Sequence, residues 1–294
     1  MRCLDLDSGA ECGLVAHAAV ALGNFDGVHI GHRAIFDELG RDLVRAVFTF
    51  ADLRRSELLC SLGERLSLIA GCGVRYALVV NFAEVRDLSP ESFCDMMCNE
   101  FRVLRFVCGY NFTFGAHARA TANDLRRLAA DRGIETYVVD PVTLGGEPVS
   151  STRVREMLRA GDTAGVSAAL GRRWGFTQPV IAGRALGRTM GFPTVNQVLP
   201  AELAAPRRGV YASRCYVDGR ELRGVTNIGV RPTFADADGG ALVAETHIFD
   251  FEGDLYGRTL RVELCDFIRD ERRFASSDDL AAQIAKDAND ARGT

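Results

Sequence analysis

Lysine is nearly missing from this chain of 294 residues. Of its 35 Lys and Arg residues, only Lys286 is lysine and the other 34 are arginine. A phosphate loop of the Gly-x-x-x-x-Gly-Lys-Ser/Thr kind is therefore excluded, and nucleotide chemistry must rest on arginine, backbone amides, histidine and metal. Long apolar runs are missing too. No segment approaches the roughly 20 residues that cross a bilayer. The N-terminus, Met1-Arg2-Cys3-Leu4-Asp5-Leu6-Asp7, is acidic and has no apolar signal core, so a cytoplasmic protein without a membrane partner is expected. The nine cysteines form no Cys-x-x-Cys pair. The two nearest in sequence, Cys94 and Cys98, stand at helical spacing and read as buried thiols rather than as a metal or disulfide site. Charge of one sign is not concentrated. The net charge is −4 and is spread evenly, so neither half is a nucleic-acid platform.

What is present is ample core material. Hydrophobic residues make up 47% and charged residues 25%, which fits a globular protein of one large or two ordinary domains. Two of only five histidines fall within residues 20–36. Val20-Ala21-Leu22 reads as a buried strand, Gly23 to Gly27 as a turn, and Ile30, Ala34 and Ile35 stand at helical spacing. Strand, glycine turn and helix start gather free backbone N–H groups at one point, which suits a phosphate. His29 and His32 share a face of that helix start and can both donate to phosphate oxygens. The plain alternative is a pair of ordinary surface histidines beside a turn.

Further along, apolar runs at Leu43–Phe50, Tyr76–Val80, Phe106–Gly109 and Thr136–Val139 alternate with helical segments. Those segments are Ser61–Ile69, a helix from the Ser89-Pro90-Glu91 cap to about Glu100, and Asp124–Arg132. Alternation of this kind implies a parallel sheet covered on both faces, with ligands at the carboxyl ends of its strands. One such end carries Gly109-Tyr110-Asn111-Phe112-Thr113-Phe114-Gly115, where two phenylalanines either pack the strand or line a pocket for a flat aromatic ligand. Ser150-Ser151-Thr152-Arg153-Val154-Arg155 opens a helix with hydroxyls and arginines. It is either an anion site or an ordinary cap. Residues 156–171 are expected to finish that helix.

Past Arg172-Arg173-Trp174-Gly175, which reads as a domain junction, short strands between glycine turns take over. Pro179–Ala182, Gly209–Val217, Leu222–Ile228, Ala241–Phe249 and Thr259–Phe267 predict an antiparallel barrel. Ser276-Ser277-Asp278-Asp279 caps a closing helix. The stretch Gly183 to Asn196 holds glycines 183, 187 and 191, Arg184 and Arg188, and then Thr194 and Asn196 on one side of an extended segment. Glycines let the backbone approach phosphates, and a hydroxyl with an amide carbonyl suits Mg²⁺. A flexible glycine loop at a barrel rim is the alternative.

The Gly-Asn-Phe-Asp-Gly-Val-His-Ile-Gly-His stretch resembles the His-x-Gly-His signature of the nucleotidyltransferases, in the form seen in bacterial bifunctional FAD synthetases. Asn111 before Phe-x-Phe-Gly and the Ser-Ser-Thr-x-x-Arg run from Ser150 are similar to further segments of that family. Gly183 to Asn196 resembles the riboflavin kinase loop ending in Pro-Thr-Ala-Asn, with Val195 in place of alanine. Three more blocks are similar to riboflavin kinases: Gly224 to Phe234, Glu245 to Gly257, and Phe267 to Phe274 with Gln283, Ile284 and Asp287. One departure stands out. Where the family has a longer loop with proline and histidine, Thr49-Phe50 runs straight into Ala51-Asp52-Leu53-Arg54-Arg55.

The resemblance implies a Rossmann-like α/β nucleotidyltransferase domain with a parallel sheet over residues 1–173. Residues 174–294 would be an antiparallel β-barrel kinase domain with a closing helix. It implies riboflavin phosphorylated to FMN and FMN adenylylated to FAD, each with ATP, by a monomer or weak homo-oligomer. It casts His29, His32 and Glu245 as catalytic, with Glu245 the general base. Gly23, Phe25, Ser151, Thr152, Arg155, Gly183, Gly187, Arg188 and Gly191 fall to ATP and its phosphates, Asn111 and Arg269 to the flavin, and Thr194 and Asn196 to Mg²⁺. Two alternatives stay open: a riboflavin kinase with an impaired adenylyltransferase half, and a non-catalytic flavin- or nucleotide-binding regulator.

Overall fold

The computed structural model of the chain describes residues 2–13, 17–53, 57–182, 192–231 and 240–293. Its contacts divide it into two compact units, Met1–Ser151 and Thr152–Thr294.

The first unit runs β1 (Arg2–Asp5), β2 (Ala18–Leu22), α1 (Ile30–Asp37), β3 (Val44–Phe50), α2 (Leu62–Ala70), β4 (Tyr76–Val80), the single turn α3 (Phe82–Val85), α4 (Pro90–Phe101) and β5 (Val103–Gly109). After the short strands β6 (Thr113–Phe114) and β7 (Ala120–Thr121) come α5 (Ala122–Ala130), β8 (Glu135–Val139), β9 (Thr143–Leu144) and β10 (Glu147–Pro148). The main sheet has the order β1-β4-β3-β2-β5-β8. It is parallel apart from β1, which pairs antiparallel with β4 at the edge.

Both faces of the sheet are covered, as the apolar runs require. Val20, Leu22, Phe48 and Phe106 join α4 and α5 in one core, around Phe93, Met97 and Leu125. The alternate residues Ala19, Ala21, Val47 and Val107 join α1 and α2 in the other, around Phe36 and Ile69. The helix caps follow from short side chains: the hydroxyls of Ser61, Ser89 and Thr121 accept from the backbone N–H three residues on.

The second unit holds most of α6 (Ser151–Ala160), then α7 (Thr163–Leu170), β11 (Gly175–Pro179), β12 (Val195–Val198), β13 (Gly209–Val217), β14 (Arg220–Arg231), β15 (Ala241–Ile248), β16 (Thr259–Arg269) and α8 (Ser277–Arg292). Its strands form an antiparallel sheet of order β11-β16-β13-β14-β15-β12. The two ends of that order meet at a bridge between Ile181 and Asn196, where Ile181 N–H donates to Asn196 O at 2.8 Å. Helix α8 lays Ala288 and Ala291 on Val210, Ala212 and Val225.

Two expected elements differ. The helix expected to run to residue 171 breaks at Gly161, where φ is +78° and a left-handed turn stops the first helix. Asp162 then caps α7 by accepting from Gly165 N–H. The first barrel strand is Gly175–Pro179, not Pro179–Ala182. Gly175 admits the close approach of β16, because a Cβ there would stand 2.3 Å from Val262 O.

Candidate active sites

In the sheet of the first unit the strand order turns at β2. The chain proceeds to β3 and β4 on one side and to β5 and β8 on the other. Such a switch point opens a crevice at the carboxyl ends of the strands. Leu22 pairs with Cys108, so the turns at Gly23 and Gly109 lie at the mouth of that crevice.

The backbone there is strained. Phe25 has φ +54°, Gly27 +77° and Val28 +43°, and a left-handed β-branched valine is rare. Gly27 also has no room for a side chain, since a Cβ would meet Leu59 at 2.7 Å. The turn is held from beneath. Asp26, 3% exposed, accepts from Leu59 N–H through Oδ1 at 2.9 Å. Its carbonyl accepts from Ser151 Oγ at 2.9 Å, which ties the first residue of α6 to the glycine turn. Asn24 O accepts from Thr49 Oγ1 at 3.1 Å and from Arg65 Nη1 at 3.0 Å. Arg65 is 2% exposed, and its other terminal nitrogen donates to Phe50 O.

His29 is the N-cap of α1, and its Nδ1 accepts from His32 N–H at 3.3 Å. In the neutral ring the proton is therefore on Nε2, which leaves that nitrogen as the donor. The two imidazoles stack with centroids 3.6 Å apart and planes at 17°. Gly31 permits this arrangement, because a Cβ would stand 3.2 Å from the His29 ring. Burial, His29 and the Arg65 cation together hold the His32 pKa well below 6.5. The pair thus stands at a helix N-terminus that favours phosphate, with His32 neutral.

The remaining predicted residues of this half divide. The Phe25 side chain is fully buried, against Phe36 at 4.9 Å, edge-on to His32 at 5.3 Å and over Gly23, where a Cβ would stand 3.0 Å from its ring. Asn111 is exposed, beside Gly109 at the end of β5. Phe114 is core, whereas Phe112 stacks on it half-buried. Thr152 is exposed and Arg155 buried on α6. Of the shortened loop after Phe50, residues 54–56 lie outside the described residues. Asp52 before them accepts from Phe82 N–H at 2.7 Å.

In the second unit the register builds a row of polar side chains. Asn196 of β12 pairs directly with Glu245 of β15, and Glu245 with Asn227 of β14, so all three share one face. Asn196 is 4% exposed, and its Oδ1 has no hydrogen-bond partner among the described residues. Glu245 is exposed. Thr194 lies two residues before Asn196, and the segment entering β12 is held where His247 Nδ1 meets Pro193 O at 2.8 Å. The opposite face is sealed by a buried hydroxyl chain, Ser213–Thr226–Thr246, with contacts of 2.8 and 2.9 Å. Gly183, Gly187, Arg188 and Gly191 lie outside the described residues.

Arg269 ends β16. Its Nε and Nη2 donate to both carboxylate oxygens of Asp287, at 2.9 and 2.6 Å, and Gln283 Nε2 donates to Asp287 at 2.7 Å. Asp287 is 3% exposed, so α8 fixes the direction of Arg269. Sequence reasoning gave no role to Asp26, Arg65, Asn227 or Asp287. Three of them fall inside segments already singled out, whereas nothing around Arg65 marks it.

Residues 14–153 match the FAD synthetase family model, and residues 170–294 match the riboflavin kinase model. A bifunctional riboflavin kinase/FMN adenylyltransferase of Escherichia coli K12 is 37% identical over 289 residues, which covers 93% of this chain and 91% of that protein. The Bacillus subtilis protein of the same name is 33% identical over 94% of this chain and 92% of its own. A Streptococcus pneumoniae crystal structure described as a macrolide-efflux protein superposes with a TM-score of 0.88 at 28% identity, covering 99% of this chain and 97% of that one. Among the described residues, no helix is long and apolar enough to cross a membrane. With these identities held along more than nine-tenths of its length, the chain belongs to the bifunctional riboflavin kinase/FMN adenylyltransferase family.

Proposed function

We propose that this chain makes FAD from riboflavin in two ATP-dependent steps, in the cytoplasm, acting as a monomer or weak homo-oligomer on small molecules and not on nucleic acid. Residues 174–294 transfer the γ-phosphoryl of ATP to the 5′-hydroxyl of riboflavin. Residues 1–173 join the FMN so formed to the AMP part of ATP and release pyrophosphate.

In the kinase step Glu245 takes the proton of the attacking ribityl hydroxyl, as its exposed position on β15 permits. The buried Oδ1 of Asn196, without a hydrogen-bond partner among the described residues, fits a hard cation. With Thr194 it would hold Mg²⁺, which when bound neutralises charge on the transferring phosphates. Gly183, Gly187, Arg188 and Gly191 supply backbone approach and charge for the phosphates, and Arg269, steadied by Asp287, orients the flavin. In the adenylyl step the FMN phosphate attacks the α-phosphorus of ATP. His29 and His32 donate to oxygens on which charge builds, beside the Gly23–Gly27 turn, whose Gly23 N–H is held by Phe48 O at 3.2 Å. Ser151, Thr152 and Arg155 bind the triphosphate, and Asn111 contacts the flavin.

The direct cross-strand pairing of Asn196 with Glu245 carries this reading, because it joins a cation ligand and a base at one point of the barrel. Incubation with riboflavin, ATP and Mg²⁺, followed by chromatography of the flavins, tests it. FMN and FAD both form. His29→Ala/His32→Ala abolishes FAD while FMN persists, and Glu245→Gln abolishes FMN from riboflavin while supplied FMN still yields FAD. A chain that turns over no riboflavin overturns the proposal.

A further inference from the structure

Cys3 and Cys12 are far from any motif, yet their sulfurs are in contact at 2.9 Å. The backbone dictates this. After β1 the chain turns at Asp5, whose Oδ1 accepts from Asp7 and Ser8 N–H, and passes Gly9 at φ +70°. It then returns antiparallel to β1. Asp5 N–H donates to Ala10 O at 3.0 Å, Leu4 bridges Glu11, and Cys12 N–H donates to Cys3 O at 2.9 Å. Cys3 and Cys12 are therefore directly opposed residues of a two-stranded turn. Cα atoms so placed are about 5.5 Å apart, within the range a disulfide spans.

Both sulfurs are partly buried, against the core that includes Leu78 and Phe106, and both keep some exposure to solvent. Of the other seven, Cys60, Cys94, Cys108 and Cys215 are buried, and Cys72, Cys98 and Cys265 are half-buried. Cys94 and Cys98 lie on one helix at a spacing that holds Cβ atoms about 5–6 Å apart, beyond disulfide reach. Burial and the Cys12 thiol raise the Cys3 pKa to about 12, and the contact between the sulfurs puts each within reach of a mixed disulfide formed on the other.

We propose that Cys3 and Cys12 form a reactive dithiol that takes small-molecule disulfides by exchange and closes into an intramolecular disulfide. One of the two cysteines attacks, as thiolate, one sulfur of the small disulfide, forms a mixed disulfide and expels one thiolate. The sulfur of the other cysteine then attacks the protein sulfur of that mixed disulfide, gives its proton to the second departing thiolate and completes the bond. The two protein thiols are oxidised, and the small disulfide is reduced to two thiols. Closure clips the segment leading into β2 onto the edge strand β1.

Full-length protein is incubated with glutathione disulfide, alkylated and cut without reduction by a protease specific for Asp and Glu, which cleaves between the two cysteines. The expected products are an intact chain lighter by two hydrogens and a peptide pair joined through Cys3 and Cys12. Cys3→Ser is expected to stop at the glutathione adduct on Cys12. Alkylation of both residues in the wild-type chain overturns the proposal, as does a stable adduct on either cysteine without closure. The wild-type peptide map decides the matter even where the variant does not fold.

Discussion

The guanidinium of Arg65 donates to the carbonyl oxygen of Asn24 at 3.0 Å, from a position 2% exposed beneath the glycine turn. Its other terminal nitrogen reaches Phe50 O, so one cation ties the turn after β2 to the end of β3. Hydrogen bonds from a charged group contribute about 1.5–3 kcal/mol each. Arg65→Met fills similar space but releases both carbonyls. Displacing a turn that aims reacting groups costs about 100-fold. FAD formation from FMN is expected to fall by that order while riboflavin phosphorylation is unchanged. Equal loss of both activities would mean that Arg65 serves general folding only.

Burial, His29 and Arg65 keep His32 neutral, with its pKa well below 6.5. Between that depressed value and 6.5 the unfolded chain binds a proton that the folded chain does not, so stability rises with pH in this window. The contribution is complete above pH 6.5 and declines as the pH falls below it. Melting temperature is expected to drop between pH 7 and 5.5 in the wild-type chain, and less steeply in His32→Gln. Parallel profiles would remove His32 as the cause. The carboxylates with lowered values, such as Asp42 beside Arg105 and Asp124 in its capping box, titrate below this window.

How much of this was legible depended on whether the signal was local. Tyr76–Val80 and Gly209–Val217 have the bounds that their apolar runs predict, because strand length there is set by the residues themselves. The Ser89-Pro90 start of α4 is equally local. β1 was not foreseen, because four residues at a sheet edge become a strand only when β4 supplies the partner. Arg65 and Asp287 lie on helices, where nothing local in the sequence marks a charge as buried. Their burial comes from what the fold brings over them.

Asn196 places activity and stability in opposition. Its Oδ1 is buried without a partner among the described residues, and an unsatisfied buried acceptor costs about 1–3 kcal/mol. Asn196→Leu removes that acceptor at similar volume. The barrel unit is expected to melt at the same or a higher temperature without Mg²⁺, while FMN formation falls at least about 100-fold. A variant that melts lower and still phosphorylates riboflavin would take Asn196 out of the site.

Asp287 and Arg269 offer the sharpest separation of structure from chemistry. The carboxylate is 3% exposed and is met by Arg269 and Gln283, so removing one partner strands a charge. Breaking such a pair costs about 3–5 kcal/mol, and the partial exposure of Arg269 puts the expected cost at the low end, about 3 kcal/mol. Asp287→Ala and Arg269→Ala should each lower the denaturation midpoint of the barrel unit by similar amounts. The double variant should lose much less than the sum, because no buried charge is left alone. Flavin binding should divide differently. With Arg269 in its proposed flavin role, Arg269→Ala is expected to weaken riboflavin binding directly, whereas Asp287→Asn keeps a hydrogen bond to the guanidinium and should raise the KM for riboflavin only slightly. Additive stability losses in the cycle would mean that the two residues act independently, and α8 would then have no part in aiming Arg269.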